Sequence, residues 1–176
     1  ERTMLAATNN VNTHKGAIYS VGLLCAAKAT DLTARGEHVC MSAASIARRL
    51  FVPNSHTHGD SVRQRFPKAG PREEAYGGFP NVCMALDMLL SGRTGEEALL
   101  KLMSMMDDSN VLWRGGEQGL GFIKKESAKI LNAPDEERRA MLLEFNDECI
   151  RRRLSPGGAA DILAAALFLQ SVEPGS

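Results

Sequence analysis

The sequence has no excess of either charge sign, no closely spaced cysteines, no apolar run of membrane-spanning length and no strand-like alternation. Lys plus Arg number 21 and Asp plus Glu number 21 in 176 residues, so the formal net charge is zero. That balance excludes a whole-chain basic field that would draw in nucleic acid or anionic lipid, although it leaves room for a local patch. The four cysteines, Cys25, Cys40, Cys83 and Cys149, include no C-x-x-C pair. The common zinc and redox motifs are thereby excluded, and the thiols read as reduced core residues of a cytosolic protein. The longest apolar stretch runs from Ala159 to Leu169, is interrupted by Asp161, and is too short to cross a bilayer. No signal-peptide pattern and no internal repeat is visible. The chain opens on Glu1 rather than methionine, within a helical pattern over Glu1–Thr8, and is expected to lack its true start.

What is present is helical periodicity. Apolar residues make up 44% of the chain, ordinary for a globular protein with a core. Ile18, Val21, Gly22 and Cys25 follow i, i+3, i+4, i+7 spacing in a segment apolar all round, which predicts a helix at the centre of a bundle. Further helices are predicted over Met41–Phe51, Asn81–Leu90 and Phe122–Leu131, and over Ala159–Val172. Thr94-Gly95-Glu96-Glu97 is a capping box, opening a helix with Leu99, Leu102, Met103 and Met106 inside. Pro134 suits the first residue of another, with Leu142, Phe145 and Cys149 inside. The expectation is an all-α fold over 1–176: a single compact bundle of about seven helices with a central apolar helix. Residues 53–80, rich in Pro, Gly and polar side chains around a short helical piece at Ser61–Phe66, are expected to be irregular and are a candidate lid.

Three polar, glycine-bearing segments stand between the apolar stretches. In Asn12-Thr13-His14-Lys15-Gly16, Asn12 or Thr13 can cap the helix that follows. His14 and Lys15 then fall at its N-terminus, where free N–H groups and the dipole favour an anion. The plainer reading is a capped helix with two solvent-facing side chains. In Asp108-Ser109-Asn110-Val111-Leu112-Trp113-Arg114-Gly115-Gly116, the neighbouring Asp107 and Asp108 follow a helix C-terminus, against its dipole, and acids so placed are often held by a divalent ion. Arg114 adds a guanidinium beside Gly115 and Gly116, whose backbone a ligand can approach closely. A helix-ending turn explains the same residues. In Ser155-Pro156-Gly157-Gly158-Ala159-Ala160-Asp161, a tight corner leads into an apolar helix carrying one acid. Asp161 there needs a partner, a metal or a shifted pKa, and an arginine such as Arg114 is one candidate. Arg72-Glu73-Glu74-Ala75 reads as a solvated charged loop or a substrate loop. His56-x-His58 has no third ligand nearby and reads as surface.

Taken together, Val11–Ile18, Arg72–Ala75 with Gly78–Pro80, Asp108–Leu112 with Arg114–Gly116, and Ser155–Gly158 with Asp161 resemble, in order, the motifs of the triphosphoribosyl-dephospho-CoA synthase family. That family builds the prosthetic-group precursor of citrate lyase and malonate decarboxylase. The departures are Asn10 where a small residue is usual, Ser109 for threonine and Trp113 where histidine is frequent. A further N-terminal region of the family is absent from this sequence, so the resemblance implies the C-terminal portion of a longer member. It implies a cytoplasmic pentosyltransferase that joins the 5-triphosphoribosyl group of ATP to the 2′-hydroxyl of 3′-dephospho-CoA and releases adenine. It also implies Mg²⁺ on the triphosphate, held by Asp108, Asn110 and Asp161. His14 and Asp108 would be catalytic. Asn12, Thr13, Lys15, Arg72, Arg114, Gly115, Gly116, Ser155, Gly157 and Gly158 would bind substrate and phosphate. The other reading is a non-catalytic nucleotide- or CoA-binding helical module, or a subunit needing a separate N-terminal partner; under either reading the expected partner state is a homo-oligomer or a complex with an N-terminal partner chain.

Overall fold

The structure is a computed structural model describing residues 15–50 and 70–173 together with Thr3 and Phe66. Apart from Thr3, the helix expected over Glu1–Thr8 lies outside the described residues, as do 51–65, with His56 and His58, and 67–69. Among the described residues there are eight helices and no strand: α1 (Lys15–Thr30), α2 (Gly36–Arg49), α3 (Pro71–Tyr76), α4 (Pro80–Leu90), α5 (Gly95–Met105), α6 (Ser109–Leu131), α7 (Asp135–Arg151) and α8 (Gly157–Val172). The all-α expectation holds.

The central helix is α8. It packs against α1, α4, α5 and α6, burying Ala159, Ile162, Ala165, Ala166 and Leu169. α1 was the sequence's candidate for that place, but its Ile18, Gly22 and Cys25 face outward, Ile18 with 63% of its surface exposed. The face α1 buries is Ser20, Leu23, Leu24 and Ala27, which obeys the same i, i+3, i+4, i+7 spacing two residues on. Where every face of a helix is small or apolar, periodicity selects none of them. Packing against α8 and α2 makes the choice.

Several boundaries also move, each for a reason outside the local sequence. α2 starts at Gly36 rather than Met41, because the Glu173 carboxylate at the far end of α8 accepts the Gly36 N–H at 2.7 Å. The segment over Phe122–Leu131 is the second part of a longer α6, which carries a break at Gly116 (φ 59°, ψ −159°). Ile123, Ser127 and Ile130 are buried. Within 53–80, residues Pro71–Tyr76 form α3, and α4 begins at Pro80 after a tight turn through Gly77, Gly78 and Phe79. Glu74 is no solvated loop residue. Its carboxylate accepts the Asn81 N–H at 2.7 Å, the Val82 N–H at 3.2 Å and the Asn81 side-chain amide at 2.6 Å, so it caps α4. In α5, Leu102 and Met103 are buried with Ala98 and Leu100, while Leu99 and Met106 lie half-buried at the margin. The capping box is formed: Glu97 N–H donates to Thr94 Oγ1 at 3.2 Å, and Thr94 N–H to Glu97 Oε2 at 2.9 Å. Phe145 and Cys149 are buried on α7, and Pro134 takes its N-cap position. All four cysteines are free thiols, with Cys25 exposed. No helix among the described residues is long and apolar enough to cross a membrane.

The assignment of the inner face of α1 is checked by paired truncations. Leu24→Ala removes a fully buried side chain and is expected to lower unfolding free energy by about 2–5 kcal/mol in urea titrations. Ile18→Ala is expected to stay within about 0.5 kcal/mol of wild type. The reverse order would assign the core to the other stripe.

Candidate functional site

Three helix N-termini, those of α1, α6 and α8, meet at two carboxylates. Asp108 follows α5 and is the N-cap of α6: its Oδ1 accepts the Asn110 N–H at 2.8 Å and the Val111 N–H at 3.3 Å. The other oxygen, Oδ2, accepts the Ala159 N–H of α8 at 3.0 Å, and the Gly158 N–H also lies close to this carboxylate. The residue at the α8 N-cap position, Pro156, has no side-chain acceptor of its own. One buried acid, only 3% exposed, thus caps two helices, its bond to Ala159 spanning 51 residues of sequence. Burial pushes its pKa up while the backbone donors oppose that shift.

Asp161 lies half-buried at the start of α8 and accepts the Ala17 N–H at the start of α1. Burial, and then the charge of Asp108, push its pKa up to about 6. Its partner is the α1 backbone rather than an arginine such as Arg114.

The glycines follow from this closeness. A Cβ on Gly158 would stand 3.0 Å from the Asp108 carboxylate, and one on Gly157 would stand 2.9 Å from Asn110 Nδ2. A Cβ on Gly16 would overlap Asp161 Oδ2. Gly115 has a different reason: a Cβ there would overlap Leu154, which seats as a knob against Gly115 and Gly119. Its identity is accounted for by packing rather than by a ligand. Gly116 adopts a backbone conformation that L side chains rarely take, with open space around it, and so remains approachable.

The expected site residues therefore divide. Lys15, Gly16, Asp108, Asn110, Gly157, Gly158 and Asp161 are brought to one junction. Arg114 is exposed one turn along α6 from Asn110, and Ser155 is exposed just before α8. Arg72 stands on α3, whose principal contacts are with α2 and α1. Asn12, Thr13 and His14 lie outside the described residues. The Asp107–Asp108 pair does not act as a unit, because Asp107 turns outward to Lys124 at 2.6 Å.

Asp108 departs most from expectation. A carboxylate offers about four lone-pair positions, and three backbone N–H groups bond to its two oxygens here with the Gly158 backbone close by, so it is a poor donor for a metal. No cluster of three His, Cys, Asp or Glu able to hold a metal occurs among the described residues. What remains at the junction, the Asp161 carboxylate and the side-chain oxygen of exposed Asn110, is the oxygen-donor type that Mg²⁺ takes, which usually keeps one or two protein oxygens and fills its other positions with phosphate and water.

The sequence profile of the ATP:dephospho-CoA triphosphoribosyl transferase family matches residues 1–176, and the chain belongs to that family. It is 39% identical over 191 residues to a Pseudomonas syringae pv. syringae protein named "Probable 2-(5''-triphosphoribosyl)-3'-dephosphocoenzyme-A synthase", covering 99% of this chain and 65% of that one. It is also 39% identical to the 2-(5''-triphosphoribosyl)-3'-dephosphocoenzyme-A synthase of Pectobacterium atrosepticum, covering 96% of this chain and 62% of that one. The chain thus spans under two thirds of the length of these curated relatives. The fold matches a crystal structure from Archaeoglobus fulgidus, provisionally named for the same synthase. The TM-score is 0.63 at 19% identity, over 89% of this chain and 83% of that one.

The double cap makes a measurable demand. Asp108→Ala strands backbone donors at two buried helix starts and is expected to cost about 2–4 kcal/mol of unfolding free energy in urea titrations. Asp161→Ala is expected to cost less than half as much. Equal losses would show that Asp108 does not hold both helices.

Proposed function

We propose that the chain carries out the family's transfer of the 5-triphosphoribosyl group of ATP to the 2′-hydroxyl of 3′-dephospho-CoA. The observation that carries this reading is the junction of α1, α6 and α8, where the family's motif residues meet around Asp161. In the reaction the bond from C1′ of the ATP ribose to the adenine nitrogen breaks, and adenine leaves with the electron pair and a proton. A new bond forms from C1′ to the acceptor oxygen, whose proton is lost. Such a step calls for a clamped triphosphate, a proton for the leaving base and charge stabilisation at the sugar.

Lys15, at the first position of α1, and exposed Arg114 supply the cationic contacts to the triphosphate. Mg²⁺ entering with ATP would be held by Asp161 and Asn110 and would offset phosphate charge. His14 precedes Lys15 in the chain and is assigned proton delivery to adenine, since its ordinary pKa lies near neutrality. Asp108 is reassigned from catalysis to positioning, because its oxygens are occupied by the two helix starts it caps.

Adenine release from ATP, Mg²⁺ and 3′-dephospho-CoA, followed by chromatography, tests the reading. Wild type is expected to release adenine only when all three are present. Asp161→Ala and His14→Ala are expected to lose at least about 100-fold in kcat, the lower range for a proton-transfer or charge-stabilising group. ATP binding without adenine release would identify a binding module instead, and wild-type turnover by both variants would overturn the residue assignments.

A further inference from the structure

Arg153 holds a backbone conformation that its residue type does not favour. α7 closes in a Schellman motif: the Arg153 N–H donates to the Ile150 carbonyl at 3.0 Å and the Leu154 N–H to the Cys149 carbonyl at 2.9 Å. The motif puts Arg153 in the left-handed region, at φ 55°. α3 and α4 end in the same pair of bonds, and there the position belongs to Gly78 (φ 88°) and Gly92 (φ 86°). Glycine takes this conformation without the Cβ penalty that Arg153 bears. Strained positions of this kind cluster at functional sites.

Arg153 is the last of three consecutive arginines, and the other two are committed. Arg151 and Arg152 both pair with Glu148, and the Arg152 guanidinium also lies 4.2 Å from the centroid of the Phe122 ring. Arg153 is exposed, and its guanidinium has no partner among the described residues. The same is true of exposed Arg114. Packing brings the two together. Leu154, next to Arg153, fills the space over Gly115, next to Arg114. The turn from α7 into α8 is therefore seated on α6, and it leads directly to Gly157, which meets Asn110 at the junction.

We infer that Arg153 is a polyphosphate-binding residue that works with Arg114, the two guanidiniums flanking the Leu154–Gly115 contact and gripping the same phosphate chain. The inference rests on the proposed use of ATP and adds a second arginine to its clamp. Two cations held at one rim repel each other until an anion lies between them, and planar guanidiniums match phosphate oxygens in pairs. Asp108 and Asp161 already occupy the helix starts at the junction, so phosphate charge falls to side chains. A strained turn that leads into α8 fixes where the Arg153 side chain leaves the backbone.

Calorimetry with Mg²⁺ and either ATP or inorganic tripolyphosphate tests this assignment. Arg153→Gly is expected to weaken both ligands alike, roughly 10- to 100-fold, and to leave 3′-dephospho-CoA affinity unchanged. It is also expected to melt at or above the wild-type temperature, since glycine relieves the left-handed turn. Arg153→Lys, which keeps the charge, should recover part of the affinity. The loss in a double variant with Arg114→Gln is expected to differ from the product of the single losses, as for residues that share one ligand. Undiminished ATP and tripolyphosphate affinity in Arg153→Gly would overturn the inference and leave the proposed function standing. Selective loss of 3′-dephospho-CoA affinity would also overturn it, placing Arg153 at the acceptor. A lower melting temperature with equal loss of all three ligands would assign Arg153 to the fold instead. A double-variant loss equal to the product would put the two arginines on separate sites and overturn their pairing. Failure of the wild-type protein to bind ATP at all would overturn both the inference and the reading it rests on.

Discussion

Asp108 is the constraint on which the rest of the site depends. A helix start leaves backbone N–H groups without intrahelical partners, and burying them unpaired costs about 1–3 kcal/mol each. α6 and α8 both begin inside the protein, and α8 begins after a proline that has no side-chain acceptor. A single carboxylate answers both needs, with one oxygen toward each helix. Since α8 touches α1, α4, α5 and α6, fixing its start also fixes where four other elements meet it. The close approach leaves no room for a Cβ on Gly158, and it brings Asp161 onto the start of α1.

The same device recurs twice. α4 starts after Phe79, which sits buried in the left-handed region at φ 57°, and α2 starts after Arg35. Neither residue caps its helix by a side-chain hydrogen bond. Glu74 from α3 and Glu173 beyond α8 do so instead, the second across 137 residues. Acceptors at three helix starts thus come from another element, and each such bond ties two helices together as well as satisfying a donor.

That pattern separates what was legible in the sequence from what was not. The Thr94–Glu97 capping box is closed within four residues, so its signature could be read directly, and it formed. The existence and type of most helices were legible for the same reason, because amphipathic spacing is local. The start of α2 was not, since its acceptor lies at the opposite end of the chain. The orientation of α1 was not, because an evenly apolar helix offers no contrast between faces. The motif residues of the junction were legible as a set, but not their roles. Asp108 looked like an acid opposing the dipole at the end of α5, when it is the favourable cap of the helix that follows. Gly115 looked like room for a ligand, when its room is filled by Leu154. For Gly115 the partner is distant in sequence; for Asp108 only Ala159 is, while Asn110 and Val111, the donors of the helix it opens, lie within three residues.

The occupied caps also change how phosphate can be held. A bare helix N-terminus attracts an anion with roughly half a positive charge. Three of them would make a strongly positive cradle, about +1.5 in all. Here two carboxylates already sit on those termini and reverse that balance to about −0.5 when both are ionised. A triphosphate approaching the junction would meet little attraction from the helix starts themselves. Its charge would have to be met by Lys15, by Arg114 and by the cation that accompanies it. The junction would then suit a metal-complexed polyphosphate better than a free one, with Asp161, the carboxylate not used to cap two helices, as the group that would offer an oxygen to the metal.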